Sequence, residues 1–142
     1  MVLEFEVPGK PFGKQRPKVV SGHAFTPKET KNYENLIKIT FQAAYPNHIP
    51  VSTGVRMDVL AIYPIPESWS KKKKMKAVAH LLHPHKPDVD NVYKIVADAL
   101  NEIAYHDDAQ IYDGHVHKEY GLKPGLKVKI EIDEVTEVDD GI

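Results

Sequence analysis

The chain lacks cysteine, so it can hold neither a disulfide framework nor a thiolate metal site. Long apolar runs are also missing, and none approaches the roughly 20 residues that a membrane-spanning helix needs. The first residues, MVLEFEVPGK, alternate apolar and acidic side chains and do not resemble a signal peptide. These absences predict a cytoplasmic protein with no membrane partner.

Net charge is close to zero, at −1, which by itself argues against nucleic acid as a partner. The distribution, however, is uneven. Residues 131–142 hold six acids and no basic residue, which leaves 19 Lys and Arg against 14 Asp and Glu in the other 130 residues, a balance of +5. The sequence therefore predicts a mildly basic body with a solvated acidic tail at about residues 134–142.

The composition that remains is globular: of 142 residues, 42% are hydrophobic and 27% are charged. Alternating apolar and polar residues predict four strands, at residues 3–7, 55–63, 110–120 and 126–132. Helical spacing predicts three helices, over residues 28–45, over residues 71–82 and for about 14 residues after Pro87. Residues 8–27 are rich in proline and glycine, which predicts a loop with a short hairpin. This order predicts one α+β domain over residues 1–142, with helices packed on a mixed or antiparallel sheet.

Carboxylates crowd residues 86–111, whose sequence is KPDVDNVYKIVADALNEIAYHDDAQI. Asp88 and Asp90 stand at the start of the third predicted helix, and Asp107 and Asp108 follow its end. One carboxylate suffices to cap a helix start, at a gain of about 1 kcal/mol, so the second acid needs another explanation. A helix of about 14 residues is ~21 Å long. The two pairs therefore meet only if the chain folds back, with the strand after Asp108 beside the N-terminal half of the helix.

Convergence of Asp88, Asp90 and Asp108 would require a cation to relieve the repulsion between them. Their oxygens are hard ligands, which favours Mg²⁺ or Mn²⁺ over zinc. Such an ion activates water and neutralises charge on a phosphodiester. Lys94, one turn after Asp90, is placed to hold the attacking water or a phosphate oxygen. The alternative for Lys94 is an ion pair with Asp90 or Asp98, and the residues alone leave metal chemistry and surface ion pairing equally open.

A basic loop follows the first strand, because residues 9–28 contain no acid and five basic side chains: Lys10, Lys14, Arg16, Lys18 and Lys28. Such a loop suits a phosphate backbone, whose contacts supply most non-specific affinity for DNA. Phe12 and Phe25 lie within this loop, and we expect them to anchor it on the core.

Two further groups of charged residues are open to more than one interpretation. The run Lys71–Lys74 covers a full helical turn, so some of its members are solvated, and contact with DNA remains open for the rest. His115 and His117 share one face of a predicted strand. Without a third ligand placed by the sequence, exposed histidines are favoured over a transition-metal site.

Most of the chain, and its middle third most densely, resembles the RusA family of Holliday junction resolvases, found in bacteria and their prophages. The family signature is a KPDxDN box, a lysine four residues after its second aspartate, a DALN-like helix and a DDxQ. This chain matches it with KPDVDNVYKIVADALN followed by HDDAQI. Three flanking segments are also similar, namely KPFGKQRPK, YPIP and SWSKKKK.

This resemblance implies a RusA-like fold and a Mg²⁺-dependent homodimer, with Mn²⁺ as a substitute ion, that nicks opposite strands of a four-way DNA junction in recombination and repair. By motif position, Asp88, Asp90 and Asp108 would be the metal-binding catalytic acids and Lys94 the essential lysine. No arginine directly precedes Asp88, so a role for such a residue would fall to Lys86.

The set of expected DNA contacts is then Lys10, Lys14, Arg16, Lys18 and Lys86. Participation of Asp107 in metal binding stays open. Two alternatives remain: a general Mg²⁺-dependent nuclease that acts on flaps or forks, and a non-catalytic DNA-binding module in which the carboxylates are caps and ion pairs.

Overall fold

A four-stranded sheet forms the centre of the computed structural model, which describes residues 1–25 and 27–134. Along the chain the elements are β1 (Val2–Pro8), β2 (Lys18–Val20), β3 (His23–Phe25), α1 (Lys28–Ala44), β4 (Val55–Pro64), α2 (Lys71–Val78), α3 (Val89–Ala99), β5 (Ile111–Gly121) and β6 (Gly125–Ile132). A short 3₁₀ turn, Asp108–Gln110, precedes β5. The predicted strands, helices and hairpin are therefore all present.

The strands of the central sheet lie in the order β1-β6-β4-β5. β6 pairs antiparallel with both β1 and β4, whereas β4 and β5 are parallel. Parallel neighbours need a long crossover connection, and here that connection carries α2 and α3. The predicted α+β class with a mixed sheet is confirmed.

One face of this sheet packs against α1 and α3 and forms the core. Strict alternation along β4 sends Val55, Met57 and Val59 into that core, while Arg56 and Asp58 point to the opposite face. Apolar stripes on the two helices complete the core; their buried members are Tyr33, Ile37 and Phe41 on α1 and Val92, Ile95, Val96 and Ala99 on α3. Burying each large apolar side chain contributes roughly 1.5–3 kcal/mol, so this seam fixes where α3 lies.

Two helices end earlier than the sequence predicts. α3 has 11 residues, and its apolar stripe continues into a turn, because Glu102 adopts a left-handed backbone with φ of 64°. α2 ends at Val78 instead of residue 82, since His80 is also left-handed, with φ of 61°. A left-handed residue cannot continue a right-handed helix.

Within the described part of the chain, no helix is long and apolar enough to cross a membrane. The predicted acidic tail lies outside the described residues apart from Glu134.

Candidate active site

Asp88 and Asp90 occupy the start of α3. Asp88 is the residue before the first helical one, in extended conformation, and its carbonyl oxygen accepts hydrogen bonds from the N–H groups of Asn91 (3.0 Å) and Val92 (3.1 Å). Its carboxylate makes no capping hydrogen bond; Lys86 Nζ lies 3.3 Å from Asp88 Oδ1 instead. Asp90 is exposed in the first helical turn. Asp88 is therefore the N-cap residue, as the sequence predicts, but its carboxylate makes no capping bond and stays available for other contacts.

Asp107 caps the 3₁₀ turn that follows α3. Its Oδ1 accepts a hydrogen bond from the N–H of Ala109 at 3.2 Å. Hydrogen bonding from Ala109 lowers the pKa of Asp107, because it favours the charged form. A turn cap accounts for this residue without a metal.

Two side-chain amides hold the loop that carries Asp107 and Asp108. The N–H of Asp108 donates to Asn101 Oδ1 at 2.8 Å. Gln110 Oε1 accepts from the N–H groups of His106 and Asp107, both at 3.0 Å. These amides belong to the DALN and DDxQ segments, so both segments serve to place the two aspartates.

Gln110 also fastens this loop to the chain that leads into β4. Its Nε2 donates to the carbonyl oxygens of Val51 (2.8 Å) and Thr53 (2.9 Å). One side chain therefore makes four hydrogen bonds that join two distant segments.

Asp108 faces the second half of α3. Burial raises the pKa of Asp108, the neighbouring carboxyl groups of Asp107 and Asp98 add to the rise, and the ammonium of Lys94 opposes it. Lys94 Nζ lies 3.3 Å from Asp98 Oδ1, which matches one of the two ion pairs expected for this lysine. Asp108, Asp98 and Lys94 thus form one group of charges on the polar side of α3.

Lys14 joins the same group from the basic loop. Its Nζ lies 3.2 Å from Asp98 Oδ2 and also contacts the carboxylate of Glu34 on α1. Burial opposes the charged form of Lys14, but the bonds to Glu34 and Asp98 together raise its pKa. Lys14 is also a predicted DNA contact, and that stays a prediction; its ammonium bonds two carboxylates of the protein, and 22% of its side chain is exposed.

The basic loop packs directly on the start of α3. A Cβ at Gly13 would lie only 2.6 Å from Pro87 Cβ, so no larger residue fits there without displacement. The N–H of Lys14 donates to the carbonyl oxygen of Asn91 at 2.8 Å. The ring centres of Phe12 and the buried Tyr33 lie 5.4 Å apart, but 41% of Phe12 is exposed, so the predicted anchoring on the core is only partial. The side chain of Phe25 lies outside the described part.

A groove of about 450 Å³ runs between this loop and α3. Lys10, Lys14, Arg16 and Lys86 line it together with Asp88, so four of the five basic residues predicted to contact DNA adjoin a predicted catalytic acid. Lys18 lies on β2 and does not line this groove.

The donor set fits Mg²⁺ in kind, because all of its members are carboxylate oxygens. Among residues 1–25 and 27–134 of one chain, however, no three Asp, Glu or His side chains are placed to hold one ion. β5 does return along α3, with Gly114 against Tyr93, but Asp108 lies beside Asp98. Asp98 comes eight positions after Asp90 on α3, which is ~12 Å along the helix axis. Convergence of the three predicted ligands stays a prediction.

Lys118 on β5 is a residue that the sequence did not single out. Its Nζ donates to three carbonyl oxygens of the loop before Asp88, those of Pro84, His85 and Pro87. Asn101 and Gln110 lie in the DALN and DDxQ motifs, although the sequence alone assigns them no role. Lys118 lies in no such motif, and nothing in the sequence around it indicates its hydrogen bonds to residues 84, 85 and 87. Partners 31 to 34 residues away become visible only in the fold.

The two histidines of β5 are exposed, as predicted. His115 Nε2 lies 2.8 Å from Asp113 Oδ1, and His117 Nε2 lies 3.4 Å from Glu119 Oε2. Each ring thus has a carboxylate neighbour on the sheet face that points away from α1 and α3.

Comparison with known proteins identifies the chain. The family model of Endodeoxyribonuclease RusA matches residues 8–131, which include the basic loop, α3 and β5. The uncharacterized protein YqaN of Bacillus subtilis (strain 168) is 38% identical over 135 residues, spanning 90% of this chain and 94% of its own length. The chain belongs to the RusA family of endodeoxyribonucleases.

Proposed function

We propose that this protein is a Mg²⁺-dependent, structure-selective endonuclease that resolves four-way DNA junctions by paired nicks. The observation that carries the proposal is the groove in which Lys10, Arg16 and Lys86 adjoin Asp88. Cations that bind phosphate there bring a DNA backbone against a carboxylate with no capping role. Family membership supports the endodeoxyribonuclease activity itself.

The basic residues of the groove bind and orient the strand to be cut. Arg16 presents a guanidinium that bonds two phosphate oxygens at once, and Lys10 and Lys86 add point charges. Lys86 already lies 3.3 Å from Asp88 Oδ1, so one ammonium reaches both the carboxylate and an incoming phosphate. We infer that these contacts hold the scissile phosphodiester over the start of α3.

Asp88, Asp90 and Asp108 are the proposed ligands of Mg²⁺, or of Mn²⁺ in its place. When bound there, such an ion would supply an activated water and would neutralise charge on the phosphodiester. Crowding of Asp108 by Asp98 and Asp107 supports the need for a cation, since burial and these neighbours disfavour its charge. Lys94, beside Asp108, stabilises the negative charge that develops on the phosphate oxygens.

A homodimer is the proposed active form. Two copies related by a two-fold axis match the symmetry of a four-way junction, and each copy cuts one strand. The cytoplasmic location expected from the sequence stays a prediction.

The test is a Mg²⁺-dependent cleavage assay on a synthetic four-way junction, with a linear duplex of the same sequence as control. We expect the native protein to make paired nicks and Asp90→Asn to lower the rate by about 100-fold or more, because a charged metal ligand is lost. Equal activity of the two proteins would refute the proposal. Equal rates on junctions, forks and flaps would instead favour the general nuclease.

Calorimetry distinguishes the proposed nuclease from the alternative of a non-catalytic DNA-binding module. A Mg²⁺ titration should release heat from a specific site in the native protein and not in Asp88→Asn. A DNA-binding module without an ion site would give the same trace for both proteins.

A further inference from the structure

Lys118 uses all of its hydrogen-bonding capacity on one loop. Its Nζ lies 3.0 Å from the carbonyl oxygen of Pro84, 3.2 Å from that of His85 and 2.9 Å from that of Pro87. An ammonium group has three donors and no acceptor, so the three bonds account for it fully. Within the described residues Lys118 makes no ion pair with an acid.

The loop that Lys118 holds leads directly into the groove. Pro87 is joined through its carbonyl carbon to Asp88, so the bond from Lys118 acts one peptide unit from that aspartate. On its other side, the Pro87 ring packs directly against Gly13 of the basic loop, so closely that even a Cβ atom at position 13 would clash with it. Pro87 is therefore clamped between β5 and the basic loop.

The loop at residues 84–87 has few backbone hydrogen-bond donors of its own with which to fix its conformation. Pro84 and Pro87 lack an N–H group, which removes two of the backbone donors by which such a segment could pair with its surroundings. A lysine that is partly withdrawn from water loses hydration, and an apolar residue at this position would avoid that loss. Three charge-assisted bonds offset it, and their common effect is to fix the backbone before Asp88.

We propose that Lys118 is a positioning residue for the cleavage reaction. It fixes the loop at residues 84–87 and thereby sets where the ammonium of Lys86 and the carboxylate of Asp88 meet the DNA. The inference rests on the proposed function for its consequence in catalysis. The clamp itself is a property of the protein without DNA or metal.

Three variants at position 118 and one control test the inference. Lys118→Met keeps the length of the side chain and removes the donors, Lys118→Gln keeps two donors without the charge, and Lys118→Arg keeps charge and donors. Lys123→Met is the control, because Lys123 is exposed in the turn between β5 and β6. Each protein is assayed on the four-way junction for kcat, for the Mg²⁺ concentration that gives half the maximal rate, and for junction affinity without metal.

We expect Lys118→Met to lower kcat about 10- to 100-fold and to raise the Mg²⁺ requirement, as loss of a residue supporting a metal ligand does. Junction affinity without metal should change by less than about threefold, since Lys10 and Arg16 still bind phosphate. Lys118→Arg should recover most of the rate, and Lys123→Met should match the native protein. A merely structural residue would lower the active fraction and leave the Mg²⁺ requirement unchanged.

Amide hydrogen exchange of the peptide over residues 82–92 measures how firmly Lys118 holds the loop, and it does not depend on nuclease activity. We expect it to exchange about tenfold faster in Lys118→Met than in the native protein, while peptides from α1 stay unchanged. If Lys118→Met does not fold, the same comparison is made with Lys118→Gln. Native values of kcat, Mg²⁺ requirement and exchange in the folded variant would overturn the inference. An inactive native protein would instead overturn the proposed function, and exchange would still decide the clamp.

Discussion

The ammonium of Lys14 lies 3.2 Å from the carboxylate of Asp98, and this contact ties the basic loop to α3. Asp98 also binds Lys94 at 3.3 Å, and Lys94 adjoins Asp108. The basic loop, which we propose contacts DNA, and the carboxylates proposed for catalysis therefore share one set of charges. Movement of the loop changes the electrostatic surroundings of Asp108.

Lys14→Ala is expected to affect stability more than DNA binding. It leaves Glu34 and Asp98 without one cation in a partly buried network, a loss of about 1–3 kcal/mol in the free energy of unfolding. Urea denaturation measures this loss. The matched variant Lys10→Ala should leave stability unchanged and reduce the slope of log affinity against log salt by about 0.9, as loss of one phosphate contact does. A reduced salt slope for Lys14→Ala at native stability would contradict the assignment.

Gln110→Ala is expected to loosen the aspartate loop. The change removes four hydrogen bonds, two of which join the loop to residues 51 and 53. Unfolding free energy should fall by about 2–4 kcal/mol, and junction cleavage should fall with it, because the bond from the Asp108 N–H to Asn101 then holds the loop without the support of Gln110. Gln42→Ala, at an exposed position on α1, is the control. Native cleavage by Gln110→Ala would show that the loop is held by other means.

Asp108→Asn is expected to stabilise the protein at neutral pH while it abolishes cleavage. The pKa of Asp108 is raised in the folded protein above its ordinary value of 3.8, so the contribution of this group to stability is present below pH 3.8 and lost as pH rises through the raised pKa. Asparagine removes the unfavourable charge that remains at neutral pH. Urea midpoints at pH 7.5 and pH 3.5 should differ between native and variant only at the higher pH.

Asp107→Ala is the matched variant, and we expect its effect on stability at neutral pH to be opposite to that of Asp108→Asn. The pKa of Asp107 is lowered, so its contribution is present above pH 3.8 and is lost as pH falls through the lowered pKa. This variant should therefore be less stable than the native protein at neutral pH. A stabilised Asp107→Ala would contradict the turn-capping role of its carboxylate.

The double variant Lys71→Gln/Lys72→Gln is expected to weaken binding to junction arms. Lys73 Nζ lies 4.1 Å from the centre of the Trp69 ring, and that ring contacts Tyr120, which lines a cleft with Lys10 and Lys86. The start of α2 therefore lies near a second cleft, which shares Lys10 and Lys86 with the groove beside Asp88. The salt slope should fall by about 1–2, whereas Lys127→Gln/Lys129→Gln, on the sheet face away from the helices, should leave it unchanged. If the two double variants have equal slopes of log affinity against log salt, the lysines of α2 do not contact DNA and are simply solvated.

The local pattern of apolar and polar residues predicted the helices and strands well. The features that it missed depend on contacts between residues far apart in the sequence. The stripe of Val92, Ile95 and Val96 gave the place of α3, but its end depends on the left-handed Glu102. The bonds of Asn101 and Gln110 to a returning loop could not be read from periodicity. Sheet order was equally out of reach, because pairing of β6 between β1 and β4 joins residues more than 60 positions apart.

The position of β6 has a consequence for synthesis of the protein on the ribosome. β1 and β4 do not pair with each other; each pairs with β6, whose residues 125–132 are translated after all the other strands. Until that segment emerges, a nascent chain carries two unsatisfied strand edges, which are templates for pairing with other chains. The nuclease is therefore expected to fold only after translation of β6, and chaperones that shield strand edges would act on it before that point.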